Sequence, residues 1–287
     1  MNFKKCVSVG PFRFKITTDI PLAANNFSNL YADYDELDES QVFIDYFASV
    51  KRAKGVRGWV KPQVDFYFDD YKPFNPLPLD QAYAMLEWGM NWCIANHAHQ
   101  FFTLHAAAIE RKGQVIILPA PPGSGKSTLC AAMAFSGWRL FSDELTLISP
   151  ATLEITPCTR PINLKNNSID ILQRRVSGSV FSTRSEDTTK GTVALMKPPK
   201  ESVSMMQQTA KPKAVIFPKY APGAPATLTA LNSLAAMQSL IDNCFNYHIL
   251  GQTAFQTACN LLDTVRCYSL EYSVFEEADN LLTRLLD

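Results

Sequence analysis

The segment Ala120-Pro-Pro-Gly-Ser-Gly-Lys-Ser-Thr128 constrains this chain more than any other part of it. It follows the apolar run Val115-Ile116-Ile117-Leu118 and opens a stretch of helical character, 126–136. A strand, a glycine-rich loop and a helix in that order match the pattern that wraps a phosphate at a helix N-terminus, with Ala120 standing where the pattern has its first glycine. That position needs a small residue where strand becomes loop, and alanine is small. Pro121 and Pro122 have no amide hydrogen, so the donors left are those of Gly123, Ser124, Gly125, Lys126, Ser127 and Thr128. Lys126 is placed to bridge the terminal phosphates of a nucleotide as a point charge, and Ser127 to hold Mg²⁺ through its hydroxyl. The expected ligands are therefore ATP, or a close relative, and Mg²⁺. A glycine-rich turn before an ordinary helix is the competing explanation, and it does not require the strand that precedes the loop.

The surrounding pattern is of α/β type. A run apolar on both faces, such as 115–118, suits the central strand of a covered sheet. A strand over 103–110 precedes it, with Lys112-Gly113 as the turn between. After the loop and helix, strands are expected at 138–142, 145–149, 153–157, 214–218 and 267–272, and helices at 231–243, 252–264 and 275–286. Upstream, Phe12, Phe14 and Ile16 alternate with polar residues, as do Val64, Phe66 and Phe68, and Val42, Ile44 and Tyr46 do so less cleanly. This period of two predicts half-buried strands over most of 1–77. The proline-rich stretch 71–79 reads as a linker, and a helix runs from about Asp80 to Ala98. One boundary near 77 then separates a β-rich N-terminal domain, 1–77, from a larger domain, 78–287. The polar segments 182–190 and 197–213 read as mobile, either as a lid or as plain disorder.

Composition narrows the partners. Lys+Arg and Asp+Glu both number 27, so the chain carries no net charge and no basic run, which argues against nucleic acid. No stretch approaches the roughly 18 apolar residues that span a bilayer, and no apolar run of signal-peptide length opens the chain. The expectation is a cytoplasmic protein. Seven cysteines, an odd number without a C-x-x-C spacing, agree with that. Cys93, Cys130, Cys244 and Cys259 stand among apolar neighbours and read as core residues rather than metal ligands.

Asp143 and Glu144 end the short strand after the first helix. In an open parallel sheet that end faces the same crevice as the phosphate loop. Two adjacent acids can divide the work of holding Mg²⁺ and accepting a proton from a hydroxyl nucleophile. Alternation along a strand allows one to point inward and the other elsewhere, and Asp143 is the favoured base. The competing explanation is a solvated turn. His105 lies on the strand before the loop strand, where a lone histidine is more often a satisfied core residue than a catalytic one.

The order His105, apolar strand, phosphate loop, helix, then Gly137-Trp-Arg-Leu-Phe-Ser-Asp143-Glu144 resembles the HPr kinase/phosphorylase family, whose relatives include the ATP-binding domain of phosphoenolpyruvate carboxykinases. The likeness is most specific over 100–150 and weaker toward 287. The stretch Arg160-Pro161-Ile-Asn-Leu-Lys165 is similar to one in the HPr-kinase-related subgroup. The resemblance implies a P-loop kinase domain with a smaller β-rich N-terminal domain, and assembly as a homo-oligomer. It implies Asp143 as the catalytic carboxylate, Glu144 in place of the usual second aspartate at the metal, and His105 where the family's histidine contacts phosphate or the acid. Arg160, Lys165 and Lys190 could offer charge to phosphates or acceptor, or be solvated surface cations. Two departures matter. Thr128 stands where members acting on HPr have Glu, and their Arg-Gly-x-Gly signature is missing. HPr as substrate, and phosphorolysis, therefore do not carry over. What remains is a kinase for a hydroxyl, with serine of a protein or peptide favoured. A small-molecule P-loop kinase and a non-catalytic nucleotide-binding regulator are the alternatives.

Overall fold

The computed structural model describes residues 3–55, 61–121 and 123–287 of a mixed α/β chain. Its first stretch contains β1 (Phe3–Val9), β2 (Phe12–Thr18), α1 (Pro21–Leu30), β3 (Tyr46–Arg52), β4 (Gln63–Phe68), β5 (Leu77–Pro78) and α2 (Ala82–His97). Next come β6 (Phe102–Arg111), β7 (Gln114–Pro119), α3 (Lys126–Ala134), β8 (Arg139–Ser142), β9 (Leu145–Ile148) and β10 (Ile155–Thr156). They are followed by β11 (Ile162–Lys165), α4 (Asn167–Arg175), β12 (Ser185–Thr188) and β13 (Gly191–Met196). The final stretch holds α5 (Lys200–Ser204), β14 (Lys211–Tyr220), β15 (Thr227–Ala230), α6 (Ser233–Asp242), α7 (Tyr247–Leu250), α8 (Gln252–Thr264), β16 (Arg266–Tyr272) and α9 (Phe275–Arg284).

These elements fall into two units. One comprises Met1–Ile94 with Pro161–Pro198, the other Ala95–Arg160 with Pro199–Asp287. A single boundary near 77 does not describe this division. The chain leaves the first unit after α2 begins, and returns to it for β11 to β13.

The first unit carries a sheet of order β1-β2-β3-β4-β5. The expected alternation is present in β2, where Phe12, Phe14 and Ile16 are buried and Arg13 is exposed. Val42 and Ile44 precede the strand rather than forming it, because β3 starts at Tyr46. A helix, α1, stands within the stretch expected to be mostly strand, and Pro21 opens it where a fixed φ suits the first helical turn. The stretch 71–79 is not wholly a linker, since β5 pairs with β4.

The same unit holds a second sheet, β11-β13-β12, and it corrects the expectation of a mobile segment at 182–190. Ser185–Thr188 is a paired strand. The Ser182 hydroxyl accepts from Leu195 N at 2.9 Å, and the Thr183 amide donates to Asn26 Oδ1 at 2.9 Å. Polar side chains here satisfy main-chain groups, so polarity does not imply disorder. Similarly, 197–213 contains α5 and the start of β14.

The second unit is built on a sheet of order β10-β9-β6-β7-β14-β16-β15, with β8 also paired to β6. It is mixed, not parallel. Lys112 and Gly113 both have positive φ, 56° and 75°, the geometry of a tight hairpin turn, so β6 and β7 run antiparallel. β7, β14 and β16 are mutually parallel. The run Val115–Leu118 is fully buried, as a central strand requires. Alternate side chains of β6 and β7, among them Leu104, Ala106, Val115 and Ile117, form one core with Ala236 and Leu240 of α6 and Ala254, Ala258 and Leu261 of α8. The intervening residues Ala107, Ile109, Ile116 and Leu118 point to the other face, against which α3 and α9 lie. Cys93 and Cys130 are buried as expected, and Cys244 and Cys259 partly so. Among the described residues, no helix is long and apolar enough to cross a membrane.

Candidate functional site

β7 ends at Pro119, and residues 120–128 carry the chain into α3; Pro122 lies outside the described residues. Gly123 and Gly125 have φ of 87° and 88° on either side of Ser124. Left-handed glycines in such a turn curl main-chain amides toward a common centre. Gly125 is the N-cap of α3 and offers no side chain to it. The loop is held from neighbouring strand ends. Tyr220 N, at the end of β14, donates to Ser124 O at 2.9 Å, and Tyr272 Oη, at the end of β16, donates to Gly125 O at 3.2 Å. A Cβ on Gly125 would stand 2.8 Å from Tyr272 Oη and 3.0 Å from Tyr220 Cβ. Only glycine fits there, for backbone and for packing reasons at once.

Strand register brings the candidate residues to this end of the sheet. Ala106 of β6 is opposite Pro119 of β7. On the other side of β6, Ala108 is opposite Ser142 and His105 is opposite Leu145. The stretch 105–108 is thus flanked by the start of the loop on one side and by Asp143-Glu144 on the other. Ser142 Oγ shapes the acidic turn by accepting from Glu144 N at 3.1 Å and Leu145 N at 2.8 Å. Asp143 is buried and Glu144 half-buried, so the two acids face different surroundings. His105 is half-buried, donates its main-chain N–H to Asn243 O at 2.6 Å and has its ring 5.4 Å from that of Phe245.

The buried thiols report on the charges around them. Burial, with the Asp143 charge adding to it, pushes Cys130 well above the usual thiol range, while Lys126 opposes the shift. Burial pushes Cys158 up to about 12, with Arg160 opposing and Asp143 adding. Lys126, Asp143 and Arg160 therefore share one neighbourhood, and Lys126 and Arg160 are both buried. The segment 158–160 runs beside β8. Cys158 N donates to Phe141 O at 2.9 Å, and Thr159 Oγ1 donates to Leu140 O at 3.0 Å.

Of the sequence candidates, Gly123 to Thr128, His105, Asp143, Glu144 and Arg160 all belong to the second unit. Lys165, at the end of β11, and Lys190, exposed in the β12–β13 turn, fold with the first. Sequence reasoning passed over Tyr220 and Tyr272, which hold the loop, and Ser142, which shapes the acidic turn. Tyr272 ends the expected strand 267–272 and Tyr220 lies two residues past the expected strand 214–218, but no local pattern says that those strands flank the loop. Among the described residues no group of three or more His, Cys, Asp or Glu side chains gathers as a metal site.

No protein-family model matches this chain, and no curated protein matches it. The functional reading rests on the residues and their geometry.

Proposed function

We propose that this chain is an ATP-dependent kinase of the HPr-kinase-like P-loop type, acting in the cytoplasm on a serine hydroxyl of a protein or peptide. The observation that carries the proposal is the convergence, at one end of one sheet, of the glycine loop, a buried lysine and a buried aspartate with a glutamate beside it. Those residues fit Mg·ATP. The loop supplies main-chain donors and no side chain at its glycines, Lys126 supplies a cation, and Ser127 and Glu144 would be the residues that hold Mg²⁺ by oxygen. Mg²⁺ bound there would neutralise charge on the phosphates.

The protein's own residues then have separate tasks. Lys126 and the amides from Gly123 to Thr128 hold and orient the phosphates. Arg160, whose charge lies in the same neighbourhood, adds positive potential where negative charge builds up in transfer. Asp143 accepts the proton of the acceptor hydroxyl at its carboxylate. His105, half-buried beside the acidic turn, contacts the phosphoryl group or the acid.

The test is to incubate the protein with γ-labelled ATP and a lysate of its own host, then locate the label by mass spectrometry. Label on serine of a polypeptide supports the proposal. Label only on a metabolite removes the polypeptide acceptor, and absence of both ATP binding and turnover removes the kinase.

A further inference from the structure

The acids and the tyrosines lie on opposite sides of the loop strand. In the sheet order, β8 and β9 reach β7 through β6, whereas β14 adjoins β7 on the other flank and β16 lies beyond β14. A nucleotide that crossed the loop strand with its terminal phosphate toward Asp143 and Glu144 would bring its nucleoside end toward β14. There the surface is apolar and braced. Tyr220 is 47% exposed and Val274 is 42% exposed. Tyr220 is in register with Tyr272, two residues before Val274.

The segment between β14 and β15, Ala221-Pro-Gly-Ala-Pro-Ala226, has only small or cyclic side chains. It is fastened to the β16–α9 turn at several points. Ala221 N donates to Tyr272 O at 2.9 Å, Ser273 Oγ to Ala224 O at 2.7 Å, and Ala226 N to Glu277 Oε2 at 3.0 Å. A loop of small side chains held this way, with an exposed aromatic ring at its edge, is pre-organised to receive a planar apolar group. The shelf is continuous with the glycine loop, because Tyr220 N holds Ser124 O and Tyr220 Cβ would be 3.0 Å from a Cβ on Gly125.

We infer that Tyr220, the 221–226 loop and Val274 form the site for the nucleobase, with the Tyr220 ring as its stacking surface. The inference rests on the proposed nucleotide-dependent function and adds where the base binds. Bases have a π-face that stacks on aromatic rings whatever their hydrogen-bonding edge. The shelf therefore supplies affinity for the base more than discrimination among bases.

The experiment compares Mg·ATP with Mg·tripolyphosphate, which has the phosphates and no base, by calorimetry on the parent, Tyr220→Ala and Tyr220→Phe. Alanine keeps the Cβ packed on Gly125, so the loop is undisturbed. Tyr220→Ala should weaken Mg·ATP by on the order of 10-fold and leave tripolyphosphate unchanged, and Tyr220→Phe should match the parent for both. Unchanged Mg·ATP affinity in Tyr220→Ala, or equal loss for both ligands, overturns the base site while the phosphate loop stands. A parent that binds neither ligand overturns the phosphate loop, and the base site with it.

Discussion

Replacing Gly125 with alanine tests the geometry on which the site depends. Its φ of 88° is left-handed, which costs a residue with a Cβ about 1–2 kcal/mol. The new Cβ would also meet Tyr272 Oη at 2.8 Å and Tyr220 Cβ at 3.0 Å. Tyr272 is fully buried, so its ring has nowhere to swing, and Tyr220 Cβ is anchored by the main chain that donates to Ser124. Overpacking of this kind adds about 1–3 kcal/mol, for a total of about 2–5 kcal/mol. Gly123 is the internal control, with φ 87° but no heavy atom within 4 Å of its added Cβ. Gly123→Ala should therefore cost only the backbone term, about 1–2 kcal/mol. The assay is urea unfolding with Mg·ATP calorimetry on both variants, because a loop that yields locally loses ligand affinity rather than global stability. Adding Tyr272→Phe removes the atom at 2.8 Å and leaves Cζ at 3.7 Å. It should return about 0.5–3 kcal/mol of the Gly125→Ala loss as a coupling term. Equal behaviour of Gly123→Ala and Gly125→Ala in both measurements, with no rescue by Tyr272→Phe, would refute the packing argument.

Lys126→Ala should weaken Mg·ATP by about 10- to 100-fold, the range of a lost charge-assisted bond; equal affinity in calorimetry sinks the phosphate-loop assignment. Asp143→Asn should keep Mg·ATP affinity near the parent's and lower turnover by about 100-fold or more, and an active variant would move suspicion to Glu144. Cys158 gives a pH prediction. Its folded thiol is held protonated up to about 12, whereas an unfolded thiol ionises at about 8.5. Between those values the folded chain binds more protons, so the stability present below the lower value is lost as pH rises toward the upper one. Cys158→Ala should flatten the alkaline fall in melting temperature, and an identical pH profile in parent and variant would count against this account.

The sequence by itself determined those parts of the molecule whose signals are local. The covered strand Gln114–Pro119, the glycine loop and the opening of α3 at Lys126 follow from apolar runs, glycines and small residues that act within a few positions. The helix Gln252–Thr264 and the tight turn Lys112-Gly113 were legible for the same reason. What depends on distant partners was not. Nothing in Tyr220 or Tyr272 announces that β14 lies against β7, or that a tyrosine two strands away from the loop strand donates to Gly125. The polar run at 182–190 carries no hydrophobic period, yet β13 and Asn26 supply partners for its main chain and hydroxyls. The turn at Lys112-Gly113 decided that β6 and β7 are antiparallel, but only pairing across β6 carried Asp143 to the same sheet end as the loop. Strand pairing joins residues far apart in the chain, and its free energy comes from hydrogen bonds and burial that exist only after folding. Motifs therefore named most residues of the candidate site, whereas the fold alone decided which of them meet and what braces them.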